Sequence, residues 1–253
     1  MGLRPYLDRV TSGEYALVIA NRTAPDPIKR MLHDLFDRQP VSVADIDLPD
    51  AADNVVLLLA DDAVIATSPL DELLDAILLI NSDLFRTGAR SLPSVSLPSV
   101  LAELTDTRFR LRGYPESNRE KLLLILISRH IERLAWEADS GTIRSSFQNL
   151  ERLNDEVGTR QVYDRLDRSG TAVHVYGQPG WTPPAGSTIT AHVGHAEMLR
   201  ESWFVIYCPE SDGADQDPIG LVAVEESTNE WLGFWSRDTT LVREVNREIE
   251  RQC

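Results

Sequence analysis

The sequence is poor in positive charge, and in lysine above all. Lys29 and Lys121 are the only lysines among 253 residues, and 40 Asp and Glu outnumber 25 Lys and Arg to give a formal net charge of -15. A protein that binds nucleic acid along its phosphates needs a basic surface. The composition therefore argues against nucleic acid as a partner.

Cysteine and long hydrophobic runs are also scarce. Cys208 and Cys253 are the only two cysteines, too few for a disulfide framework or a zinc site. No run of about 18 apolar residues is present to span a bilayer, and the N-terminus lacks the apolar core of a signal peptide. We expect a cytoplasmic protein with no membrane association.

The common catalytic and nucleotide-binding motifs are missing as well. The sequence has no Gly-x-Ser-x-Gly elbow, no Gly-rich phosphate loop and no dinucleotide fingerprint. His192 and His195 lie in His-Val-Gly-His, but the helical His-Glu-x-x-His spacing of a zinc enzyme does not occur. We predict no catalytic residues, no metal and no cofactor. A hydrolase using His174 with Glu225 or Cys208 is the less favoured alternative.

The periodicity of apolar residues predicts a mixed α/β fold with two small sheet-containing halves and a long buried helix between them. Short apolar runs bounded by turn residues indicate strands, and apolar residues at helical spacing indicate helices. The longest helical pattern, 121–138, is apolar almost all round in its first half, which indicates a central buried helix or a seam in a homodimer. We place the two halves at residues 1–113 and 114–253.

Three shorter segments complete this interpretation. Ser68 with Pro69 is typical of a helix start, and 143–153 is interpreted as a short helix. The tandem repeat Ser-Leu-Pro-Ser-Val at 91–100 predicts an extended connector, because its prolines remove backbone donors.

The clearest chemical pattern lies in residues 171–181. Side chains alternate along a strand, so Val173 and Val175 are expected on one face and His174 and Tyr176 on the other. The same half holds every tryptophan of the chain. Such aromatic side chains line a cavity or fill a core, and both alternatives stay open. The candidate ligand- or partner-binding residues are His174, Tyr176, Trp181, Trp203, Glu225 and Trp235.

Five short segments of the second half together resemble one known family. They are 162–166, 172–181, 203–207, 221–225 and 233–238, of which 172–181 reads Ala-Val-His-Val-Tyr-Gly-Gln-Pro-Gly-Trp. They resemble the DICT sensory domain, which is named after diguanylate cyclases and two-component systems. The resemblance is strongest from about Arg119 onward, and the first half is similar to the forepart of stand-alone members from halophilic archaea.

The resemblance implies a non-enzymatic sensory module that binds a small molecule or a signalling protein and regulates it. No output segment follows Cys253, so we expect the chain to act through a partner or as a homodimer. The alternative is a protein-interaction module without a ligand, whose aromatic side chains fill the core.

The acidic composition predicts a protein adapted to high salt. In molar KCl the Debye length falls to about 3 Å, so neighbouring surface carboxylates repel each other far less than in dilute buffer. We therefore expect the melting temperature to rise by several degrees between millimolar and molar KCl, as measured by circular dichroism. A melting temperature that does not change with salt would contradict this expectation.

Overall fold

The computed structural model describes residues 2–10, 13–82, 97–112, 119–211 and 216–252. Most of the tandem repeat predicted as a connector lies outside these residues. The helices are α1 (Arg4–Leu7), α2 (Asp26–Phe36), α3 (Leu70–Ser82), α4 (Ser99–Ala102), α5 (Arg119–Ala138), α6 (Arg152–Asp155), α7 (Val157–Leu166), α8 (Glu197–Glu201) and α9 (Thr239–Gln252). The strands are β1 (Tyr15–Ala20), β2 (Val41–Ile46), β3 (Val55–Ala60), β4 (Ala63–Pro69), β5 (Thr107–Arg112), β6 (Thr142–Asn149), β7 (Ala172–Gln178), β8 (Thr190–Val193), β9 (Ser202–Cys208), β10 (Ile219–Ser227) and β11 (Glu230–Ser236).

The first sheet has four strands in the order β2-β1-β3-β4. Helix α2 connects β1 to β2, and these two strands are parallel, as a helical crossover requires. Strand β3 pairs antiparallel with β1 and forms a hairpin with β4. This small sheet has a buried face, because Leu17 and Ile19 of β1 and Leu58 of β3 are each 2% exposed or less.

The second sheet has seven strands in the order β5-β11-β10-β9-β6-β7-β8. Strands β6, β7 and β8 run parallel to one another, and the remaining neighbours are antiparallel. Strand β5, which precedes residue 113 in the chain, pairs with β11 near the C-terminus. The proposed boundary at residue 113 stays a prediction.

The two faces of the second sheet are covered by different helices. Val173, Val175 and Val205 belong to the core that includes side chains of α5 and α7. Tyr176, Phe204 and Val222 belong to a separate core with residues of α8, α9 and the N-terminal segment. The alternation predicted for 171–181 is therefore confirmed.

Helix α5 lies between the two halves. Helices α2 and α3 contact it from the side of the first sheet, and β9 and β10 contact it from the second sheet. Every residue of 123–136 is buried or half-buried. Four of the apolar side chains are 1% exposed or less, namely Leu124, Ile127, Ile131 and Ala135. The mixed α/β fold with a buried helix between two sheets is confirmed. In the described part of the chain, no helix combines the length and the apolar character needed to cross a membrane.

Two local predictions were wrong. Residues 142–149, predicted to be helical from Ile143 onward, form β6 between β9 and β7. The stretch is rich in Ser, Thr and Asn, which compete with the helical backbone for hydrogen bonds. Ser68 does not cap α3 either: it lies in β4, and its hydroxyl accepts a hydrogen bond from Val100 N at 3.3 Å.

Gly233 in β11 lies opposite Phe109 of β5, and a substitution at this glycine tests the packing between the two strands. A Cβ atom at this position would lie 2.4 Å from the Phe109 ring and 2.6 Å from the Val222 carbonyl oxygen. We expect Gly233→Ala to lower the free energy of unfolding by about 1–3 kcal/mol, measured by urea titration.

Gly220→Ala is the matched control in the adjacent strand β10. A Cβ there would meet its nearest atom, Ile206 Cγ1, at 3.4 Å, which is an ordinary contact. We expect this variant to stay within about 1 kcal/mol of the wild type. Equal losses in the two variants would contradict the packing described for Gly233.

Candidate functional site

The six candidate residues do not converge on one site. His174 and Tyr176 lie on the face of the second sheet that α9 covers, whereas Trp203 and Trp235 pack with the α5 side. Trp181, in the segment after β7, is half-buried against the same α5-side core. Glu225 lies near the end of β10, where its Oε1 accepts a hydrogen bond from Asn229 N at 2.9 Å. Their assignment as binding residues stays a prediction.

On the α9 side, His174 belongs to a cluster of polar and aromatic groups that satisfy one another. His174 Nδ1 lies 3.0 Å from His192 Nε2, and the His192 ring stacks on Tyr176 with centroids 4.3 Å apart. The Tyr176 hydroxyl accepts a hydrogen bond from Arg144 Nη1 at 2.9 Å. Arg144 also donates to Asn246 and Glu250 of α9. The cluster therefore ties β6, β7 and β8 to the last helix.

The ionisation of this cluster follows from its burial. Burial, together with the nearby Arg144 guanidinium and His192, lowers the pKa of His174 to about 4, and Glu250 opposes this shift only in part. At neutral pH the imidazole is therefore uncharged. An uncharged ring suits a packed position beside Arg144.

The groups required by the hydrolase alternative are separated. Strand β6 lies between β7, which carries His174, and β9, which carries Cys208. In the register of the sheet, Thr142 of β6 is paired with Cys208 on one side and with Ala172 on the other. Burial raises the pKa of the Cys208 thiol to about 11, so it is protonated at neutral pH. In the described residues, no three His, Cys, Asp or Glu side chains are grouped as metal ligands.

A pocket opens on the other face of the sheet, between α5, β6, α7 and β9. We call it the helix pocket, and its volume is about 620 Å³ including open solvent at its mouth. One candidate residue, Trp203, lines it. The other lining residues are Ile125, Ser128, Arg129, Glu132, Ser145, Ser146, Phe147, Gln148, Arg152, Glu156, Thr159, Tyr163 and Val205.

A buried ion pair lines the helix pocket. Arg129 Nη1 donates to Glu132 Oε2 at 2.6 Å, and the two side chains are 12% and 3% exposed. Arg129 Nη2 donates to Thr159 Oγ1 at 2.8 Å, and Thr159 in turn donates to Glu156 Oε2 at 2.8 Å. The Tyr163 hydroxyl donates to the second oxygen of Glu132 at 3.1 Å. One chain of hydrogen bonds thus joins α5 to α7.

The environment fixes the protonation of this network. Burial and the neighbouring Glu132 carboxylate raise the pKa of Tyr163 well above its usual value, so the phenol keeps its proton. Burial alone would lower the pKa of Arg129, but Glu132 holds it above its ordinary value. The network therefore has a fixed donor and acceptor pattern at neutral pH.

The Ser128 hydroxyl in the helix pocket has no hydrogen-bond partner among the described residues. Ser128 is 6% exposed and lines the pocket, and its Oγ makes no hydrogen bond to any described residue. A buried polar group without a partner costs about 1–3 kcal/mol, which makes such groups uncommon in native proteins. A bound molecule with a hydrogen-bonding group would satisfy Ser128.

A second, smaller pocket adjoins the helix pocket. It has about 330 Å³ including open solvent, and it shares Gln148, Arg152 and Trp203 with the helix pocket. Its remaining lining residues are Leu111, Arg112, Leu124 and Trp231. Trp203 therefore borders both cavities.

Sequence reasoning missed the polar residues of the helix pocket. Arg129 and Glu132 are three residues apart on a helix otherwise identified by its apolar side chains. Charged residues at this spacing on the buried part of a helix are expected to pair with each other or with neighbours. That spacing could have been recognised in the sequence, whereas the partners on α7 could be identified only from the fold.

One of three comparisons with known proteins agrees with the resemblance seen in the sequence. Residues 98–216 match the family model of DICT, a sensory domain in diguanylate cyclases and two-component systems, and the match confirms that resemblance. It covers every residue that lines the helix pocket.

The other two comparisons are uninformative about function. Curated proteins give no match. Among solved structures, the chain is similar to a polyphosphate kinase from Porphyromonas gingivalis at 10% identity and a TM-score of 0.35. The alignment covers 98% of this chain and 47% of the kinase chain, so this chain spans less than half of that protein. A likeness at this level carries no argument about activity.

Glu132 provides a test of the buried ion pair. Glu132→Gln removes the carboxylate that pairs directly with the buried Arg129 guanidinium, so we expect the free energy of unfolding to fall by about 3–5 kcal/mol in urea titration. Glu137→Gln is the control on the same helix. It breaks the pair of Glu137 with Arg133, whose side chains are 36% and 28% exposed. We expect it to cost about 0–1 kcal/mol. Similar losses in the two variants would show that the Glu132 pair is not buried.

Proposed function

We propose that this chain is a cytoplasmic sensory module that binds a small molecule in the helix pocket and passes the event to a partner. The DICT match supports the sensory class, since it identifies a sensory domain at residues 98–216. Catalysis forms no part of the proposal.

The observation that carries the proposal is a polar network on the wall of an open pocket. Arg129, Glu132, Thr159 and Tyr163 hold one another in place, while the Ser128 hydroxyl beside them has no partner in the part of the chain that the structure describes. A binding site needs a few fixed polar groups among apolar walls, and this pocket has both. Fixed groups lose little conformational entropy on binding.

Helix α5 provides a physical route from the pocket to the rest of the chain. Ser128, Arg129 and Glu132 are on α5, and the same helix contacts α2 and α3 on the side of the first sheet. A molecule that binds one position of α5 more tightly than another would shift the packing of α2 and α3. The first half would then report the occupancy of the pocket.

A protein-interaction role without a ligand is the second candidate, and one observation favours it. Strand β8 is at the edge of the seven-stranded sheet, and Val193 in it is 52% exposed. An edge strand presents unpaired backbone groups that another strand can pair with. The partner in this case would be a signalling protein or a second copy of the chain.

Blocking the helix pocket tests the proposed function. Ser128→Leu places a larger apolar side chain at the pocket wall, so the variant should lose a small molecule that the wild type retains when it is purified from its own cytoplasm. Native mass spectrometry measures this as a mass difference between native and denatured protein.

Ser99→Leu is the matched control, because Ser99 is exposed and does not line the helix pocket. It should retain the same molecule as the wild type. A wild-type chain that carries no small molecule, or a Ser128→Leu variant that keeps it fully, would contradict the proposal and favour the interaction role. Circular dichroism of the three proteins identifies a variant that has failed to fold.

A further inference from the structure

We infer that the outer face of the first sheet docks a basic amphipathic helix of a partner protein. The outer face is the face of this sheet opposite to the one on which α2, α3 and α4 pack. The inference goes beyond the proposed function, because it names a surface for the partner and makes no use of the helix pocket.

The strand register places twelve residues on the outer face in three rows. Residues that are level with one another in neighbouring strands point to the same face of a sheet. Ten of these twelve residues are apolar and none is charged, although 26% of the residues of the chain are charged. A solvated sheet face normally carries polar residues, so this face has the composition of a covered surface. The rows, read from β2 to β4, are Ser42, Ala16, Leu59 and Val64; Ala44, Val18, Leu57 and Thr67; and Ile46, Ala20, Val55 and Pro69.

The described part of the chain leaves the outer face open. Helices α2, α3 and α4 contribute to the core on the other face, together with Leu58 of β3. Val18 and Leu57 on the outer face belong to neither hydrophobic core of the described residues. Ile46 and Val64, in the two edge strands, are 38% and 53% exposed. Contiguous exposed apolar surface of this kind marks interaction sites.

The border of the outer face is acidic at both ends of the strands. Glu14, Asp61 and Asp62 line a surface depression at one end. At the other end, Asp47 follows β2 directly and Asp53 lies two residues before β3. In the part of the chain that the structure describes, none of these five exposed carboxylates forms an ion pair. A partner with lysine or arginine beside its apolar surface would complement them.

Charge and area both disfavour a second copy of this chain as the occupant. Two copies packed face to face would bring their acidic borders together, which like-charge repulsion opposes. From the usual spacing of strands and residues, four strands give a face of roughly 15 Å by 20 Å, or about 300 Å². A stable complex buries about 800 Å² of each partner. The outer face therefore fits a transient partner of opposite charge.

The shape of the outer face indicates a helix as the docking element. Ala16, Ala20 and Ala44 are small side chains on β1 and β2, whereas Leu57 and Leu59 are larger and stand beside them on β3. A helix about 10 Å in diameter can lie over the alanines and contact the leucines with its apolar stripe. Helices are a common layer on a sheet, and the other face of this sheet already carries α2 and α3.

Three labelled peptides of about 18 residues test the inference on the full chain by fluorescence anisotropy. The first has leucine at helical spacing and lysine on its other face, the second has glutamate in place of lysine, and the third has the residues of the first in scrambled order. We expect the first to bind about tenfold more tightly than either of the others, because it alone combines an apolar stripe with positive charge. The measurement is made at the lowest KCl concentration at which circular dichroism shows the protein to be folded, since salt screens the charges.

Val64→Lys and Val157→Lys are a matched pair of variants. Both valines are exposed, at 53% and 44%, and Val157 lies on α7. Each variant changes the net charge of the chain equally, so a difference between them reports the position alone. Val64→Lys should weaken the first peptide about tenfold, because it removes an apolar contact and adds a like charge. Val157→Lys should change the affinity by less than about twofold.

Four outcomes would overturn the inference. They are a wild type that binds none of the peptides, equal binding of the scrambled peptide, equal losses in the two variants, and a wild type that sediments as a dimer which Val64→Lys converts to a monomer. The last would assign the outer face to a second copy of the chain. None of them concerns a small molecule in the helix pocket, so the proposed function is tested separately.

Discussion

The burial of most of α5 between the two sheets is the constraint on which the rest of the structure depends. Helices α2 and α3 pack on one side of it and the seven-stranded sheet on the other, so none of residues 123–136 is classed as exposed. A helix in this position must be apolar, or its polar groups must find partners inside the protein. Arg129 and Glu132 meet this requirement by pairing with each other and with Thr159 and Tyr163 of α7. The helix pocket lies where the apolar packing of α5 gives way to this network.

Features that depend on neighbouring residues in the sequence could be predicted. The alternation of β7 and the inward face of α9 follow from local periodicity, and Asp238 caps α9 by accepting from Thr240 N at 2.8 Å. Strand β6 could not be predicted in this way, because its strand form depends on β9 and β7 on either side. Long-range pairing overrides weak local preference in such a strand. The pairing of β5 with β11 is equally remote in sequence.

The candidate site was predictable only in part, for a related reason. Trp203 was chosen because aromatic side chains line cavities, and it does line the helix pocket. His174 and Tyr176 were chosen from the same pattern, but they lie on the opposite face of the sheet. Residue type indicates what a side chain can bind, whereas the face of the sheet decides what it meets. Ser128 and Thr159 come together through the packing of α5 against α7, which a linear pattern does not contain.

The two faces of the seven-stranded sheet thus have different physical roles. On the α9 face the polar groups satisfy one another: His174 lies beside His192, and Tyr176 accepts from Arg144, which also holds α9. Such a closed network stabilises one arrangement and gives a ligand little to bind. On the α5 face the Ser128 hydroxyl makes no hydrogen bond to any residue that the structure describes, and space is available beside it. A ligand gains most where a hydrogen bond is still missing. Because that face is covered by the helix that also contacts α2 and α3, binding there has a direct mechanical connection to the helices of the first sheet.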